Sequence, residues 1–144
     1  MNWVRLDPGD AHAMMRDEGA LFLDVRTPVE FHQGHPAGAY NVPLMLRLPE
    51  GLKLNESFIN DVGRVLTPKD TVVLGCKSGA RSARAAQLLL GGGFAHVFEL
   101  ASGFEGQRDA FGRQVVSGWK ACGLPVAYDA PETHRYQSRA EEAS

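Results

Sequence analysis

Three short apolar runs, "LFLDV" (21–25), "TVVLG" (71–75) and "HVFEL" (96–100), most tightly constrain how this chain can fold. Each is too short for a buried helix, and turn or helix-start residues bound each one. They read as strands buried on both faces, the pattern of a parallel sheet. Helix signals lie between and around them. In "DPGDAHAMMRDEG" Asp7 is an N-cap, Pro8 takes the first helical position and Gly19 is the stop. "WVRL" before it reads as a short edge strand. Thr27 and Pro28 open a second, short helix that ends near Gly34, and "GAYNVP" is a brief strand closed by Pro43. Residues 44–57 have poor periodicity and read as a loop leading into a helix around 56–66. "RSARAAQLLL" is a helix with Ala85, Leu88 and Leu89 on its apolar face, Ala86 and Leu90 beside it, and "GGG" (91–93) as its stop. A last helix is expected around "SGWKAC", closed by Gly123 with Pro125 beyond. Strands alternating with helices predict one α/β domain, a mostly parallel central sheet with helices on both faces.

A length of 144 residues suits a single domain. The formal net charge of −2 leaves no general footprint for nucleic acid or an anionic membrane, so an anion site must be local. No signal-peptide core or membrane-length apolar run is present, and a cytoplasmic setting is expected. Thiols stay reduced there, so the 2 cysteines are read singly rather than as a bridge. His12, His32, His35, His96 and His134 are scattered and read as surface or hydrogen-bonded residues; neither metal nor organic cofactor is expected.

The chemistry concentrates in "GCKSGARSAR", Gly75 to Arg84. Ligands of open α/β sheets bind beyond the carboxyl ends of the strands. Cys76 lies just past "TVVLG", and Asp24 and Arg26 lie at the end of "LFLDV". Turning from strand to helix within about five residues would aim backbone N–H groups inward, an anion nest at a helix N-terminus. Gly79 supplies the backbone freedom, and Lys77 and Arg81 add positive field. Such surroundings favour a thiolate. The competing reading makes Cys76 a small buried hydrophobe at a strand end. Lys77 reads equally as a solvated lysine, and Arg81 as the partner of a structural carboxylate such as Asp24.

These motifs resemble the rhodanese family over about residues 3 to 127, with a polar tail, expected to be mobile, from Tyr128 to Ser144. "DVRTPVEFHQGHPAGAYNVP" (24–43) matches one family element, and "CKSGARS" (76–82) matches the Cys-x-x-Gly-x-Arg-Ser active loop; "GF" and "GWKACGLPV" follow. The resemblance implies a sulfurtransferase. Cys76 would take a sulfane sulfur from a small anion such as thiosulfate and carry it as a persulfide to cyanide, a thiol or a protein cysteine. Lys77, Ser78, Gly79, Ala80, Arg81 and Ser82 would hold the donor. Asp24 would orient the loop or Arg81, Arg26 would support structure, and His35, Asn41 and Pro43 would be fold determinants. Related phosphatases and arsenate reductases are the alternative enzymes. Four residues separate Cys76 from Arg81 where the rhodanese-like phosphatases have five, and Gly75 stands in place of a histidine before the cysteine. A silent binding module, or a sulfur-relay or regulatory role, is a further alternative. Cys122 and Trp119 read as packing residues. Between "SGF" and Trp119 the fourteen residues "EGQRDAFGRQVVSG" exceed the usual family spacing. They read either as a loop shaping donor or partner choice, with Arg108 and Arg113 adding charge, or as a tolerated surface insertion.

Overall fold

The computed structural model describes residues 3–77 and 79–136. In chain order come β1 (Val4–Leu6), α1 (Pro8–Glu18), β2 (Leu21–Asp24), α2 (Pro28–His32), β3 (His35–Pro36), β4 (Tyr40–Asn41), β5 (Met45–Leu48) and β6 (Gly51–Leu54). They are followed by α3 (Phe58–Val62), β7 (Thr71–Gly75), α4 (Ala80–Gly91), β8 (His96–Leu100), β9 (Gln107–Arg108), β10 (Gln114–Val116), β11 (Val126–Ala127) and a 3-10 turn at Glu132–His134. The main sheet has the order β1-β8-β7-β2-β4, and every pairing in it is parallel.

The apolar runs are buried on both faces, as a parallel sheet demands. Leu23, Val25, Val72, Leu74 and Cys76 join Phe58, Val62, Ala85 and Leu89 in one core. Phe22, Val73 and Leu100 join Ala11, Phe31, Phe104 and Trp119 in the other. Thus α3 and α4 cover one face, while α1 and α2 cover the opposite one. Asp7 caps α1 by accepting the Asp10 amide at 2.8 Å, and Gly19 closes it at φ 72°. Thr27 and Glu30 cap α2 reciprocally, a capping box.

The structure departs from the expectations in four places. Residues 45–54 are not a loop but an antiparallel hairpin, with Met45 opposite Leu54 and Leu48 opposite Gly51. Most of its residues are exposed, so no buried face imposes the alternation by which strands are recognised. The helix after it spans only Phe58–Val62. Nor is there a helix at "SGWKAC": a single turn forms there, with the Cys122 amide on Gly118 O at 3.2 Å. Its neighbouring amides are committed elsewhere, Trp119 N–H to Gly103 O at 3.1 Å and Lys120 N–H to Phe104 O at 3.2 Å. Trp119 is fully buried and donates its Nε1 proton to Pro125 O at 2.8 Å, whereas Cys122 is exposed rather than packed.

The insertion forms the small exposed hairpin β9–β10, organised by Asp109, which accepts the Phe111 and Arg113 amides and the Arg113 guanidinium. From Tyr128 the chain continues across the body through Tyr136. His134 stacks on Tyr40 with ring centroids 3.8 Å apart, and the Tyr136 hydroxyl donates to Asp61 at 3.0 Å. The remainder of the expected tail, 137–144, lies outside the described residues.

Gly75 ends β7 where a Cβ would stand 2.3 Å from Phe22 Cζ. Replacing Gly75 with Ala is expected to destabilise the fold by ~1–3 kcal/mol through overpacking. Gly91, with open space around its Cβ position, is the matched control: Gly91→Ala should gain ~0.4–1 kcal/mol. Urea unfolding of both variants checks the pair, and similar losses in the two would refute the steric account of Gly75.

Candidate active site

Parallel register brings the carboxyl ends of β2 and β7 together. Asp24 is the register partner of Gly75, and Val25 N–H donates to Gly75 O at 2.9 Å. Cys76 therefore leaves the sheet beside Asp24 and Arg26. Its side chain is buried at 1% exposure, and its sulfur accepts the Gly79 amide at 3.1 Å. Gly79 holds φ 105°, and a Cβ there would meet Ala101 O at 2.6 Å, so the turn needs glycine for both reasons. The loop is braced from outside. Cys76 O accepts the Phe104 amide at 2.7 Å and Lys77 O accepts the Glu105 amide at 2.9 Å. α4 then starts at Ala80 with no side chain capping it, leaving first-turn amides without intrahelical partners.

The loop cations do not stand free. Arg81 makes a two-pronged contact with Glu30, 2.6 Å to Oε1 and 2.9 Å to Oε2. The expected Arg81–Asp24 pair is not formed. The Asp24 carboxylate is filled by Arg26 instead, with NH2 to Oδ2 at 2.7 Å and both Nε and the backbone amide to Oδ1 at 3.0 Å. Arg26 is buried, donates also to Gly34 O at 2.7 Å, and lies over the Phe104 ring at 4.5 Å. Chain geometry favours this choice: Arg26 follows Asp24 by two residues, while Glu30 sits on α2 across from α4. Lys77 is exposed and lies 3.6 Å from Glu105. Ser82, fully buried, has its hydroxyl 3.6 Å from the Cys76 sulfur. Ser78 lies outside the described residues.

His35 and Asn41 serve the fold. His35 stacks on Phe31 at 3.7 Å, and the Asn41 amide donates to Asp24 O and Arg26 O. Arg108 and Arg113 are tied within the inserted hairpin, to Gly112 O and Asp109. Of the insertion's charged side chains Glu105, at its start, reaches the loop, at Lys77. Among the described residues no group of three or more His, Cys, Asp or Glu could hold a metal.

The residues not foreseen are carboxylates and two arginines. Glu30 carried a legible signal, the Thr-x-x-Glu of a capping box. Glu99 is the lone carboxylate in "HVFEL", and a charge in a doubly buried strand must find partners. Glu105 carried no comparable signal. Beside the loop a cleft of about 690 Å³ is lined by Val29, Leu44, Met45 and Leu52 together with Arg47 and Arg84. These two arginines make no ion pair among the described residues.

Burial opposes ionisation of Glu30, but the Arg81 guanidinium and the Thr27 amide and hydroxyl outweigh it, holding the carboxyl at about 2 against an ordinary 4.5. The folded value lies below the unfolded one, so this contribution to stability is complete above pH 4.5 and is lost as pH falls from there towards 2. Across that window the urea midpoint of the wild type should fall more steeply than that of Glu30→Gln, which carries no titrating group. Parallel curves would show that the pair does not form in solution.

The rhodanese-like domain model matches residues 7–110. Among curated proteins the chain is 39% identical over 108 residues to thiosulfate sulfurtransferase 16, chloroplastic, of Arabidopsis thaliana, covering 75% of this chain and 80% of that protein. It is 31% identical over 114 residues to the thiosulfate sulfurtransferase GlpE of Pseudomonas syringae, covering 79% and 95%. Among solved structures, Rv0390 of M. tuberculosis superposes with a TM-score of 0.74 at 26% identity, covering 89% of this chain and all of the other. A parallel sheet that delivers Cys76 into a tight, glycine-bent loop agrees with each of these likenesses, and the chain belongs to the rhodanese-like domain family.

Proposed function

We propose that this protein is a sulfurtransferase that carries sulfane sulfur as a persulfide on Cys76. The observation that carries the reading is the setting of the sulfur: 1% exposed and bonded at 3.1 Å to the amide of Gly79, where a Cβ would collide with Ala101 O. The Cys76 thiolate attacks the outer sulfur of a donor such as thiosulfate. A new S–S bond forms, the old one breaks, and its electron pair leaves with sulfite. An acceptor thiolate then attacks the terminal sulfur of the persulfide and returns the Cys76 thiolate. The loop amides and the N-terminal end of α4 offset the negative charge on the donor and on the bound persulfide.

The phosphatase and arsenate reductase alternatives fit less well. Only four residues separate Cys76 from Arg81, and Arg81 is turned to Glu30 rather than left to clasp a tetrahedral oxyanion. No side chain fits at position 75, because Phe22 fills the space. A binding module without catalysis fits less well, because the buried sulfur is retained with an amide donor aimed at it.

Intact mass after incubation with thiosulfate tests the reading. The wild type should gain one sulfur, about 32 Da, that cyanide removes, and Cys76→Ser should gain none, as covalent catalysis through this sulfur requires. Absence of the gain with thiosulfate and with a thiol persulfide would overturn it.

The cleft beside the loop suits the acceptor. Its apolar floor and the unmatched Arg47 and Arg84 favour a thiol that carries a carboxylate. Arg84→Gln should raise the KM for such a thiol by ~2–5-fold, the range of an exposed ion pair, and leave the KM for 2-mercaptoethanol unchanged. Equal effects on both acceptors would remove Arg84 from the acceptor site.

A further inference from the structure

Glu99 takes no part in the steps above, yet it is completely buried and linked to the reacting sulfur. Three side chains donate to its carboxylate: Ser82 Oγ to Oε2 at 2.6 Å, Trp3 Nε1 to Oε1 at 2.9 Å and Arg5 Nε to Oε1 at 3.2 Å. Ser82 is itself 3.6 Å from Cys76 Sγ. A hydrogen-bonded chain therefore runs from the sulfur at the end of β7, through a hydroxyl in the first turn of α4, to a carboxylate on β8.

Counting protons fixes its direction. A serine hydroxyl has one proton. Its two possible acceptors are Glu99 Oε2 at 2.6 Å and Gly79 O at 3.2 Å; the proton goes to the nearer, charged carboxylate, so Ser82 offers the sulfur only lone pairs. The resting arrangement is thus a Cys76 S–H donating to Ser82 Oγ. Bulk water has no easy route to that proton, because Cys76 is 1% exposed. A second arrangement satisfies the same groups. The S–H proton passes to Ser82 Oγ while the hydroxyl proton passes to Glu99 Oε2. One S–H and one O–H bond break, two O–H bonds form, and the negative charge moves from carboxylate to sulfur. Oε1 keeps both of its donors, Glu99 Oε2–H donates to Ser82, and Ser82 joins the Gly79 amide in donating to the thiolate.

We propose that Glu99 is a positioning residue that takes the Cys76 proton through Ser82 and so readies the thiolate inside the closed loop. The inference rests on Cys76 being the nucleophile. The charged and titratable groups around the chain are Arg5 from β1, Cys76 from the end of β7, the buried Asp24–Arg26 pair at the end of β2, Arg81 from α4 with its partner Glu30 from α2, and the exposed pair of Lys77 and Glu105.

Alkylation of Cys76 by iodoacetamide tests it, followed by peptide mass because the exposed Cys122 reacts too. Glu99→Gln keeps the shape and cannot take the proton. Its Cys76 alkylation should be at least ~10-fold slower than wild type at about pH 6.5, and the two rates should converge at about pH 9.5, where a thiol ionises without an internal proton acceptor. Ser82→Ala should show the same pattern with Glu99 still held by Trp3 and Arg5, and provides the test if Glu99→Gln does not fold. Ser82→Thr, which restores a hydroxyl, should recover the rate. Equal rates at the lower pH, or a loss of the same size at both, would overturn the proposal. Alkylation needs no sulfur donor, so this outcome is separate from whether a persulfide forms.

Discussion

The position of the sulfur depends on what the Glu30 carboxylate holds. One side chain accepts the amide and hydroxyl of Thr27, which starts α2, and both forks of Arg81, which lies in the first turn of α4. The helix α2 packs through Phe31 into the core on one face of the sheet, and α4 packs through Ala85 and Leu89 into the other. Their ion pair therefore fastens the two layers over the carboxyl edge of the sheet, where the chain from Cys76 to Gly79 has to pass. Both partners are about three-quarters buried, at 22% and 26% exposure. A two-pronged guanidinium–carboxylate contact in that setting has a defined geometry that an exposed lysine pair lacks. Because the same oxygens cap a helix, any change at Glu30 moves the start of α2 and the reach of Arg81 together.

Beneath this clasp lies a second, fully buried pair. Asp24 and Arg26 are exposed by 1% and 3%, and a buried ion pair is weak support for stability unless its remaining donors are satisfied. Here they are. Arg26 also bonds Gly34 O and lies over the Phe104 ring, and Phe104 in turn donates its amide to Cys76 O. The pair thus supports the loop from below through Phe104, while Arg81 and Glu30 hold it from the side. Arg26 acts on the sulfur only through the backbone it props.

Most of the sheet was legible because its strands are buried on both faces and its helices carry their own caps. Asp7 and Gly19 bound α1, Thr27 and Pro28 start α2, and the runs at 21, 71 and 96 hold the centre of the sheet. The hairpin 45–54 was not legible, since exposed strands need no alternation, although "PEG" between two leucine-rich tetrads was a turn signal of the ordinary kind. The turn at Trp119 looked helical because local composition cannot show that its amides are taken by Gly103 and Phe104. At the site, sequence order placed Cys76, Asp24 and Arg26 on one edge correctly. It could not assign partners among charges. Arg81 to Asp24 and Arg81 to Glu30 are equally plausible until α2 and α4 are placed, and only then does Arg26 claim Asp24 by proximity.

That reassignment changes how the loop treats charge. The sequence suggests a cationic cradle built from Lys77 and Arg81, but each of these is matched by a carboxylate, Glu105 and Glu30. The exposed Lys77 pair is weak and screened, so Lys77 can leave Glu105 for an incoming anion at little cost. Arg81 cannot leave so easily, because its departure would strand a partly buried carboxylate. The field at the sulfur then comes chiefly from fixed dipoles, the Gly79 amide and the amides that open α4 without a side-chain cap. Fixed dipoles need no rearrangement as charge arrives and departs, which suits the proposed cycle of the sulfur between thiolate and persulfide. Among the described residues, positive charge without an ion pair stands instead on Arg47 and Arg84, outside the loop and along the cleft. On this reading the loop handles one sulfur atom, and the cleft, with the hairpin as its outer wall, handles the molecule that delivers or receives it.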